Sequence, residues 1–217
     1  MKIFIGYDKR FDAAYRVAKH SVLQIDNTLE VIPLKIDKLK NYLWREKDPL
    51  ASTEFTITRF LVPYLSDYMG YSLFVDCDVL FKENPRNIIK EIEHSSDVYC
   101  VPHNYTPFQD IKMDNRKQHV YPRKNWSSVM LFNNYQCQYL NLRYINSATP
   151  SELHQMMWAQ SIGKLDPKWN HLVGYYNHPN PSIIHYTDGG PWISGYENCE
   201  YSEEWIKNYN DENETRY

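Results

Sequence analysis

Apolar and polar positions follow two different periods along the first 36 residues. Residues 3–5 are Ile-Phe-Ile, and the turn-forming Gly6-Tyr7-Asp8 comes directly after them, which predicts a buried strand that runs into a loop. From residue 11 to residue 25 apolar side chains recur with the period of one helix face. Residues 29–36 predict a second strand. This strand–helix–strand opening favours a parallel sheet with ligand-binding loops at the carboxyl ends of its strands.

The rest of the chain carries shorter signals for helices and strands. Three predicted helices begin at a capping residue and cover 53–65, 84–93 and 149–162, the last one opened by a capping box that contains proline. Short apolar runs predict four further strands, at residues 72–75, 97–101, 129–132 and 183–186. Strands and helices therefore alternate along most of the sequence, as expected for an α/β protein.

Two segments lack any such pattern. The loop from His103 to Asn125 is long, polar and interrupted by proline. Loops of this size in compact domains are usually functional, so we predict a lid or a partner-binding loop. Beyond Tyr201 the sequence is polar. We therefore predict a single domain over residues 1–201 and a polar tail or linker over residues 202–217, so that the chain can be one domain of a longer protein.

Composition and charge narrow the classes of function. The chain has 217 residues, 24 Lys and Arg against 27 Asp and Glu, and a net charge of −3. It lacks the cationic field that non-specific nucleic-acid binding requires, so nucleic acid is not an expected partner. Tyrosine is abundant, with 19 copies, which indicates either a core with polar handles or a cleft that stacks on flat ligand faces.

Cysteine usage and targeting signals predict a compartment. The four cysteines are far apart in the sequence and form no C-x-x-C pair, which argues against a zinc knuckle or a disulfide scaffold and predicts reduced thiols. No apolar run approaches the length of a membrane span, and no export signal follows Met1. The prediction is a soluble cytoplasmic protein.

The most informative local feature is a pair of carboxylates, Asp76 and Asp78, inside the apolar run from Phe74 to Phe81. Two like charges in an apolar setting require a compensating cation. Positions i and i+2 of an extended chain share a face, so both carboxylates can reach one divalent ion. The alternative is a strand end whose Asp residues only cap the following loop.

Two further segments carry candidate ligand-binding groups. His185 ends a predicted strand and leads into Gly189-Gly190, where two adjacent glycines let backbone N–H groups approach an anion. A packed core histidine and a simple tight turn are the alternatives. Arg59 precedes the acidic strand and is either a solvated surface residue or a phosphate clamp.

Taken in order, these motifs resemble those of nucleotide-sugar glycosyltransferases of the GT-A fold, most closely the retaining family 8 type that includes glycogenin and bacterial galactosyltransferases. The resemblance implies a Rossmann-like, mixed and mostly parallel central sheet flanked by helices. The matching segments extend over nearly the whole chain, at residues 3–8, 56–59, 74–78, 126–133, 160, 165–170 and 185–192. The length and the polar tail are also similar to glycosyltransferase modules of large DNA viruses, including the chlorella-virus type, which would place the protein in the host cytoplasm.

The resemblance implies a role for each matching residue. Asp76, Asp78 and His185 would hold Mn²⁺, with Mg²⁺ as the alternative, against the donor diphosphate. The other donor-site residues that it implies are Tyr7 and Asp8 along the uracil and ribose, Arg59 near the phosphates and donor sugar, and Ser128, Gly189 and Gly190. Asp78 and Gln160 would be catalytic, with Gln160 beneath the anomeric carbon. Tyr186, Trp126 and Trp192 adjoin these segments, where stacking on a base or sugar is expected.

The sequence departs from the family pattern at two places. Gly190 stands where family members often carry a phosphate-binding Lys, and Ala159 precedes Gln160 where the family tends to have Asp. The predicted function is metal-dependent transfer of a sugar from a UDP-sugar to a glycan, glycoprotein or other hydroxyl acceptor, with retention of configuration. The alternatives are a nucleotidyltransferase that makes a nucleotide sugar, and a non-catalytic nucleotide-sugar-binding module.

Overall fold

In the computed structural model, which describes residues 1–46, 51–104, 111–112, 116–117 and 122–215, the strands form three sheets. In chain order the strands are β1 (Lys2–Gly6), β2 (Glu30–Leu34), β3 (Tyr71–Val75), β4 (Val79–Phe81), β5 (Val98–Cys100), β6 (Ile111–Lys112), β7 (Arg116–Lys117), β8 (Val129–Asn133), β9 (Ile162–Lys164), β10 (His171–Leu172) and β11 (Ile183–His185).

The largest sheet has six strands in the order β2-β1-β3-β8-β5-β9. Strand β1 pairs in parallel with β2 and β3, and β5 pairs in parallel with β9. Strand β8 is antiparallel to both of its neighbours, β3 and β5. The sheet is therefore mixed and mostly parallel, as predicted. Its inner strands are continuous apolar runs because helices and loops cover both faces.

A smaller sheet of three strands, β10-β11-β4, stands beside the large one. Strand β11 is parallel to β10 and antiparallel to β4. Because only residues 76–78 separate β3 from β4, the chain passes from one sheet to the other at the carboxyl end of β3. Strands β6 and β7 form a separate antiparallel pair.

The helices are α1 (Asp12–Ile25), α2 (Val62–Leu65), α3 (Leu142–Ser147), α4 (Pro150–His154) and α5 (Ser202–Glu214). Short 3-10 helices occur at Lys9–Phe11, Ile36–Lys38, Thr58–Leu61, Pro85–Glu91, Trp126–Ser128, Asn134–Cys137 and Pro167–Asn170. Helix α1 buries the predicted apolar face, including Ala14, Ala18 and Val22. The side chain of Asn84 caps the predicted helix at 84–93 as expected, although that helix is of the 3-10 type.

Two of the predicted helices are shorter than the sequence indicates. Between residues 53 and 65, turns precede a 3-10 helix and α2, because Pro63 has no N–H to continue an α-helical ladder. The capping box at Thr149 is present, but the helix ends at His154 rather than at Ile162. The chain turns at Met156, which has a φ of 55°, and Ile162 then begins β9 at the edge of the large sheet.

The prediction of a polar tail or linker beyond Tyr201 is wrong for residues 202–214. These residues form α5, which packs on α1. The side chain of Trp205 is 4% exposed and packs with Val17, Leu80 and Ile184. One aromatic residue in a polar segment, together with the ion pair between Arg16 and Glu212, holds the helix in place.

Most of the predicted lid or partner-binding loop at 103–125 lies outside the described residues. All four cysteines are free thiols, as predicted, and Cys77, Cys100 and Cys137 are buried. Among the residues that the structure describes, the helices are all too short or too polar to cross a membrane.

Candidate functional site

The candidate site lies where the carboxyl ends of β1, β3 and β11 meet the amino ends of β4 and β8. Asp76 directly follows β3, and Asp78 directly precedes β4. His185 is the last residue of β11 and pairs with Val79, the neighbour of Asp78. The backbone N–H of Tyr186 donates to the carbonyl oxygen of Asp78 at 2.9 Å. The passage of the chain between the two sheets thus brings both carboxylates and the imidazole together.

The three side chains form a cluster with the geometry of a metal site. Asp76, Asp78 and His185 each offer one ligand atom, and these atoms lie within 4.8 Å of one another. Asp78 and His185 are buried, and Asp76 is half-buried. Among the residues that the structure describes, no second cluster of this kind occurs. Two carboxylate oxygens and one imidazole nitrogen suit a divalent ion such as Mn²⁺ or Mg²⁺.

A network of hydrogen bonds fixes the tautomer of His185. Ser128 Oγ donates its proton to the carbonyl oxygen of Asn125 at 2.7 Å, so it accepts from Asn170 Nδ2 at 2.9 Å. The Asn170 amide is thereby oriented with its oxygen, Oδ1, 2.9 Å from His185 Nδ1. Because that oxygen can only accept, His185 Nδ1 carries the proton. Asn170 is fully buried, which keeps the arrangement rigid.

The orientation of His185 brings two potential ligand atoms together. With Nδ1 bonded to Asn170, the ring turns Nε2 toward Asp78 Oδ1, 3.5 Å away, and an Nε2 without a proton presents a lone pair to that oxygen. Two electron-rich atoms that face each other in a buried position are unfavourable without a positive charge between them or on the ring. The donor set therefore fits a divalent cation, and the second nitrogen of His185 is held as metal-binding histidines generally require.

Arg59 places a positive charge beside Asp76. Its Nη1 lies 2.9 Å from Asp76 Oδ1 and donates to the carbonyl oxygen of Ser127 at 2.7 Å. The guanidinium carbon lies 4.9 Å from the centre of the Phe74 ring and 5.3 Å from that of Phe55. Arg59 is buried, so it is not the solvated surface residue that the sequence left as an alternative.

Tyr7 and Asp8 reach the same edge of the sheet but differ in exposure. Tyr7 is half-buried, its hydroxyl donates to Asp12 at 3.0 Å, and Lys35 Nζ lies 4.2 Å from its ring centre. Asp8 is fully buried and accepts hydrogen bonds from Arg10 and from the Glu54 N–H. Burial alone raises the pKa of Asp8, but these hydrogen bonds outweigh it and lower the pKa. Asp8 therefore fixes the loop in this conformation, and its contact with the uracil and ribose stays a prediction.

Ser128, Gly189 and Gly190 have structural roles near the cluster, and their predicted contacts with the donor stay a prediction. The Ser128 hydroxyl is buried inside the network described above. The Gly189 N–H already donates to the carbonyl oxygen of Tyr186 at 2.9 Å, so it does not offer itself to an anion. A Cβ on Gly190 would overlap the ring of Trp192. Gly190 thus permits close packing of that ring.

The aromatic residues near this loop are divided between the core and the surface. Tyr186 is fully buried and its hydroxyl donates to the carbonyl oxygen of Tyr201, so the expected stacking on a ligand is wrong for this residue. Trp192 packs against Tyr186 and Trp205. Trp126 is half-buried, and its indole N–H donates to the carbonyl oxygen of His103.

Gln160 lies at the edge of the sheet opposite the metal cluster, which does not support its predicted place beneath the anomeric carbon. Its backbone N–H donates to Asp97, which precedes β5, at 2.7 Å. Because β5 and β9 are parallel to β3, this is the amino edge of the sheet. The strand register separates Gln160 from Asp76 by roughly 20 Å, at about 3.3 Å per residue. The sequence pattern predicts a continuous helix to Ile162, so it predicts neither the turn at Met156 nor strand β9, and this separation could not be expected from it.

Two histidines at the site carry no signal in the sequence. His154 Nδ1 lies 2.8 Å from Ser127 Oγ, and burial followed by the charge of Arg59 lowers its pKa to about 3. The ring of His103 stacks on that of Tyr176 at 5.6 Å, and burial followed by His185 lowers its pKa to about 3. Both are isolated in the sequence, so only the fold reveals that they adjoin the cluster.

Comparison with solved structures identifies the fold. WbbM, described as a bifunctional glycosyltransferase, matches with a TM-score of 0.67 at 13% identity over 96% of this chain, which spans only 49% of that one. The galactosyltransferase LgtC, solved with donor and acceptor sugar analogues, matches with a TM-score of 0.54 at 12% identity over 97% and 96% of the two chains. A glycosyltransferase involved in glycosylation of the major capsid of PBCV-1 gives 0.50 at 12% identity over 98% of both. The fold is the GT-A fold, as predicted.

Sequence comparison identifies the family. No family model matches the sequence. Protein CDI of Arabidopsis thaliana is 38% identical over 98% of this chain and 88% of its own length. At that identity and coverage, this GT-A chain belongs to the same protein family as Protein CDI.

Proposed function

We propose that this protein is a metal-dependent glycosyltransferase that moves a sugar from a UDP-sugar donor to a hydroxyl group of a glycan or glycoprotein. The observation that supports this most directly is the cluster of Asp76, Asp78 and His185 at the carboxyl edge of a GT-A sheet. Retention of configuration is part of the proposal and rests on the resemblance to family 8.

Different residues of the site would bind the metal ion, the phosphates and the base. Asp76, Asp78 and the Nε2 atom of His185 would hold Mn²⁺, or alternatively Mg²⁺, because Asn170 already engages Nδ1 of the same ring. The Arg59 guanidinium, which lies against Asp76, would contact the donor phosphates. Tyr7, half-buried after β1 with Lys35 Nζ over its ring, would contact the base.

The chemistry that this site favours is departure of a nucleoside diphosphate. When bound, the divalent ion would act as a Lewis acid that neutralises negative charge on the leaving diphosphate. Arg59 adds a fixed positive charge in a buried setting, where electrostatic stabilisation is strongest. The acceptor hydroxyl would attack the anomeric carbon from the face of the sugar that the diphosphate leaves, and its proton would pass to the departing phosphate oxygen. Because Gln160 lies at the far edge of the sheet, the proposal assigns it no role beneath the sugar.

The test measures donor binding and turnover in one set of proteins. UDP-glucose, UDP-galactose, UDP-xylose and UDP-N-acetylglucosamine are tested with and without Mn²⁺, by thermal shift and by release of UDP. We expect at least one donor with Mn²⁺ to stabilise the protein, by about 2.7 kcal/mol at a hundred-fold excess over Kd. Replacement of Asp78 by Ala should abolish Mn²⁺-dependent release of UDP. The matched control is Glu93→Gln, an exposed carboxylate outside the cluster.

Three outcomes would contradict the proposal. Full turnover by the Asp78→Ala protein would remove the metal assignment, and failure of every UDP ligand to stabilise the protein would remove the donor assignment. Formation of a UDP-sugar from UTP and a sugar 1-phosphate would identify a nucleotidyltransferase. Binding of a UDP-sugar that is independent of Mn²⁺ and yields no UDP would identify a non-catalytic binding module.

A further inference from the structure

A second concave surface lies at the edge of the large sheet opposite the metal cluster. We call it the tyrosine groove, and its lining residues are Tyr42, Tyr64, Leu65, Asp67 and Tyr68. It encloses about 400 Å³, within the range of about 300–1,000 Å³ typical of ligand sites. The segment 64–68 precedes β3, whereas Asp76 follows it. The five residues of β3 separate the groove from the cluster by about 17 Å.

Three tyrosine rings form the walls of this groove. The rings of Tyr42 and Tyr64 are 5.5 Å apart and tilted by 58°, and those of Tyr64 and Tyr68 are 6.3 Å apart and nearly perpendicular at 85°. All three side chains are half-buried, so each has one part packed and another accessible. The groove therefore offers the accessible parts of three tyrosine side chains, where ring carbons and polar atoms both contribute to the surface.

The backbone at one wall of the groove has a conformation of unfavourable free energy. Asp67 and Tyr68 are consecutive non-glycine residues with φ values of 52° and 55°, and each left-handed residue of this kind costs on the order of 1 kcal/mol. The Tyr68 N–H donates to the carbonyl oxygen of Pro63 at 2.9 Å, and the Tyr68 hydroxyl donates to that of Leu140 at 3.1 Å. The ring of Tyr68 is thus fixed before any ligand arrives, which lowers the entropic cost of binding.

Charge limits the chemistry of the ligand. The only charged side chain among the lining residues is Asp67, which is exposed. A groove with a carboxylate and without a lysine or arginine in its lining disfavours phosphates, nucleotides and acidic polymers. A neutral ligand that has apolar faces for the rings and hydroxyl groups that can donate to Asp67 meets this condition.

Exposed aromatic residues extend the surface on both sides of the groove. Trp44 is 63% exposed, and Asn146 ties its backbone to that of Tyr42. On the other side Tyr139, also 63% exposed, adjoins Leu140, the acceptor of the Tyr68 hydroxyl. Two exposed aromatic residues therefore lie close in the chain to residues that line the groove.

We propose that the tyrosine groove binds a neutral oligosaccharide chain at a site separate from the metal cluster. The C–H faces of pyranose rings would stack on Tyr64 and Tyr68, and sugar hydroxyls would donate to Asp67. This inference goes beyond the proposed transfer reaction and does not depend on it, because the groove shares no residue with the metal cluster.

The test is direct binding of neutral hexasaccharides to the full chain, with maltohexaose, cellohexaose, xylohexaose and mannohexaose as the probes and calorimetry as the measurement. We expect at least one of them to bind with a Kd in the millimolar range or tighter. Tyr64→Ala and Tyr42→Ala should each weaken that binding at least ten-fold. Tyr64→Phe keeps the ring and should stay within about three-fold, and Asp67→Asn should weaken binding several-fold without removing a wall.

Matched controls separate this site from the catalytic one. Tyr135 is 65% exposed and lies outside the groove lining, so Tyr135→Ala should bind the saccharide normally. Tyr64→Ala should keep the Mn²⁺–UDP affinity of the parent, and if it fails to fold, Tyr42→Ala and Asp67→Asn carry the test. The proposal is overturned if no hexasaccharide binds, if the groove variants bind as the parent does, or if Mn²⁺–UDP competes with the saccharide. Failure of the transfer reaction alone would leave these results unchanged.

Discussion

Asn170 shows how one buried amide decides what a neighbouring imidazole can do. The side chain lies between Ser128 Oγ and His185 Nδ1, with 2.9 Å to each. Because Ser128 already donates to Asn125, only one orientation of the amide satisfies all the hydrogen bonds. The choice of tautomer at the metal cluster therefore depends on a residue that is not itself a ligand.

Replacement of Asn170 by Leu should weaken metal binding without removing a ligand. The leucine leaves the His185 Nδ1 proton without its acceptor, and the ring is then no longer held in one tautomer. We expect the affinity for Mn²⁺ in the presence of UDP to fall about 10- to 100-fold, as for other groups that orient metal ligands. Calorimetry measures the affinity, and ¹⁵N chemical shifts of His185 report the tautomer.

Asn134 provides the matched control for that substitution. It is equally buried, and it donates to the Met69 carbonyl oxygen and to Ser72 at the other edge of the sheet. Asn134→Leu should lower stability but leave the Mn²⁺ affinity and the tautomer unchanged. Equal losses of metal affinity in the two variants would show that Asn170 contributes only to folding.

At the scale of secondary-structure elements, α5 connects the end of the described chain to the loop beyond the metal cluster. The rings of Tyr209, Trp205 and Trp192 follow one another at 5.3 and 5.2 Å. Trp192 in turn covers Gly190 and packs against Tyr186, the residue after His185. The helix therefore supports the segment that follows β11, although none of its residues belongs to the cluster.

Trp205→Ala should strongly destabilise the protein. Its side chain is almost completely buried between α1, β4 and β11, and truncation of a buried tryptophan typically costs about 3–5 kcal/mol. Ile206, the next residue, is 42% exposed, so Ile206→Ala should change the free energy of unfolding by less than about 0.5 kcal/mol. Urea unfolding of both variants measures the difference. Similar values for the two would mean that α5 is not part of the cooperative unit.

At the scale of the whole molecule, the two buried histidines make stability depend on pH. Burial, with a nearby charge or histidine, lowers the pKa of both His103 and His154 to about 3. In the unfolded chain a histidine takes up its proton near pH 6.5. The unfolded state therefore binds more protons between about pH 6.5 and pH 3, so the free energy of unfolding is greatest above pH 6.5 and falls as the pH is lowered through that range.

His154→Gln should reduce this dependence. Each buried neutral histidine adds up to about 1.4 kcal/mol per pH unit to the slope, so the variant should lose stability at pH 7.5 but show a shallower decline down to pH 5. Asp8 does not contribute over this interval, because its lowered pKa makes its effect appear only in more acidic solution. Urea unfolding at pH 7.5, 6.0 and 5.0 gives the slopes, and parallel slopes for parent and variant would contradict the assignment.

The sequence by itself determined the parts of this protein that depend on local pattern. The apolar runs predict β1, β3, β8 and β11, because a strand buried on both faces is apolar throughout. Two Asp residues within such a run already indicate that a cation is required, and the order of motifs identifies the GT-A fold. The clustering of Asp76, Asp78 and His185 could therefore be predicted before any contact was known.

Only the tertiary structure decided which side chains near the site are buried and hold other residues in place, and which are accessible to a ligand. Asp8 is buried because it accepts a hydrogen bond from Glu54, which is distant in the sequence. Gln160 lies at the far edge of the sheet because β9 pairs with β5, which is also distant in the sequence. The same holds for Asn170, whose hydrogen-bond partner is 15 positions away in the sequence, and for His154, whose partner is 27 positions away. Local pattern specifies which face of an element is buried, but packing between distant elements specifies which polar groups meet.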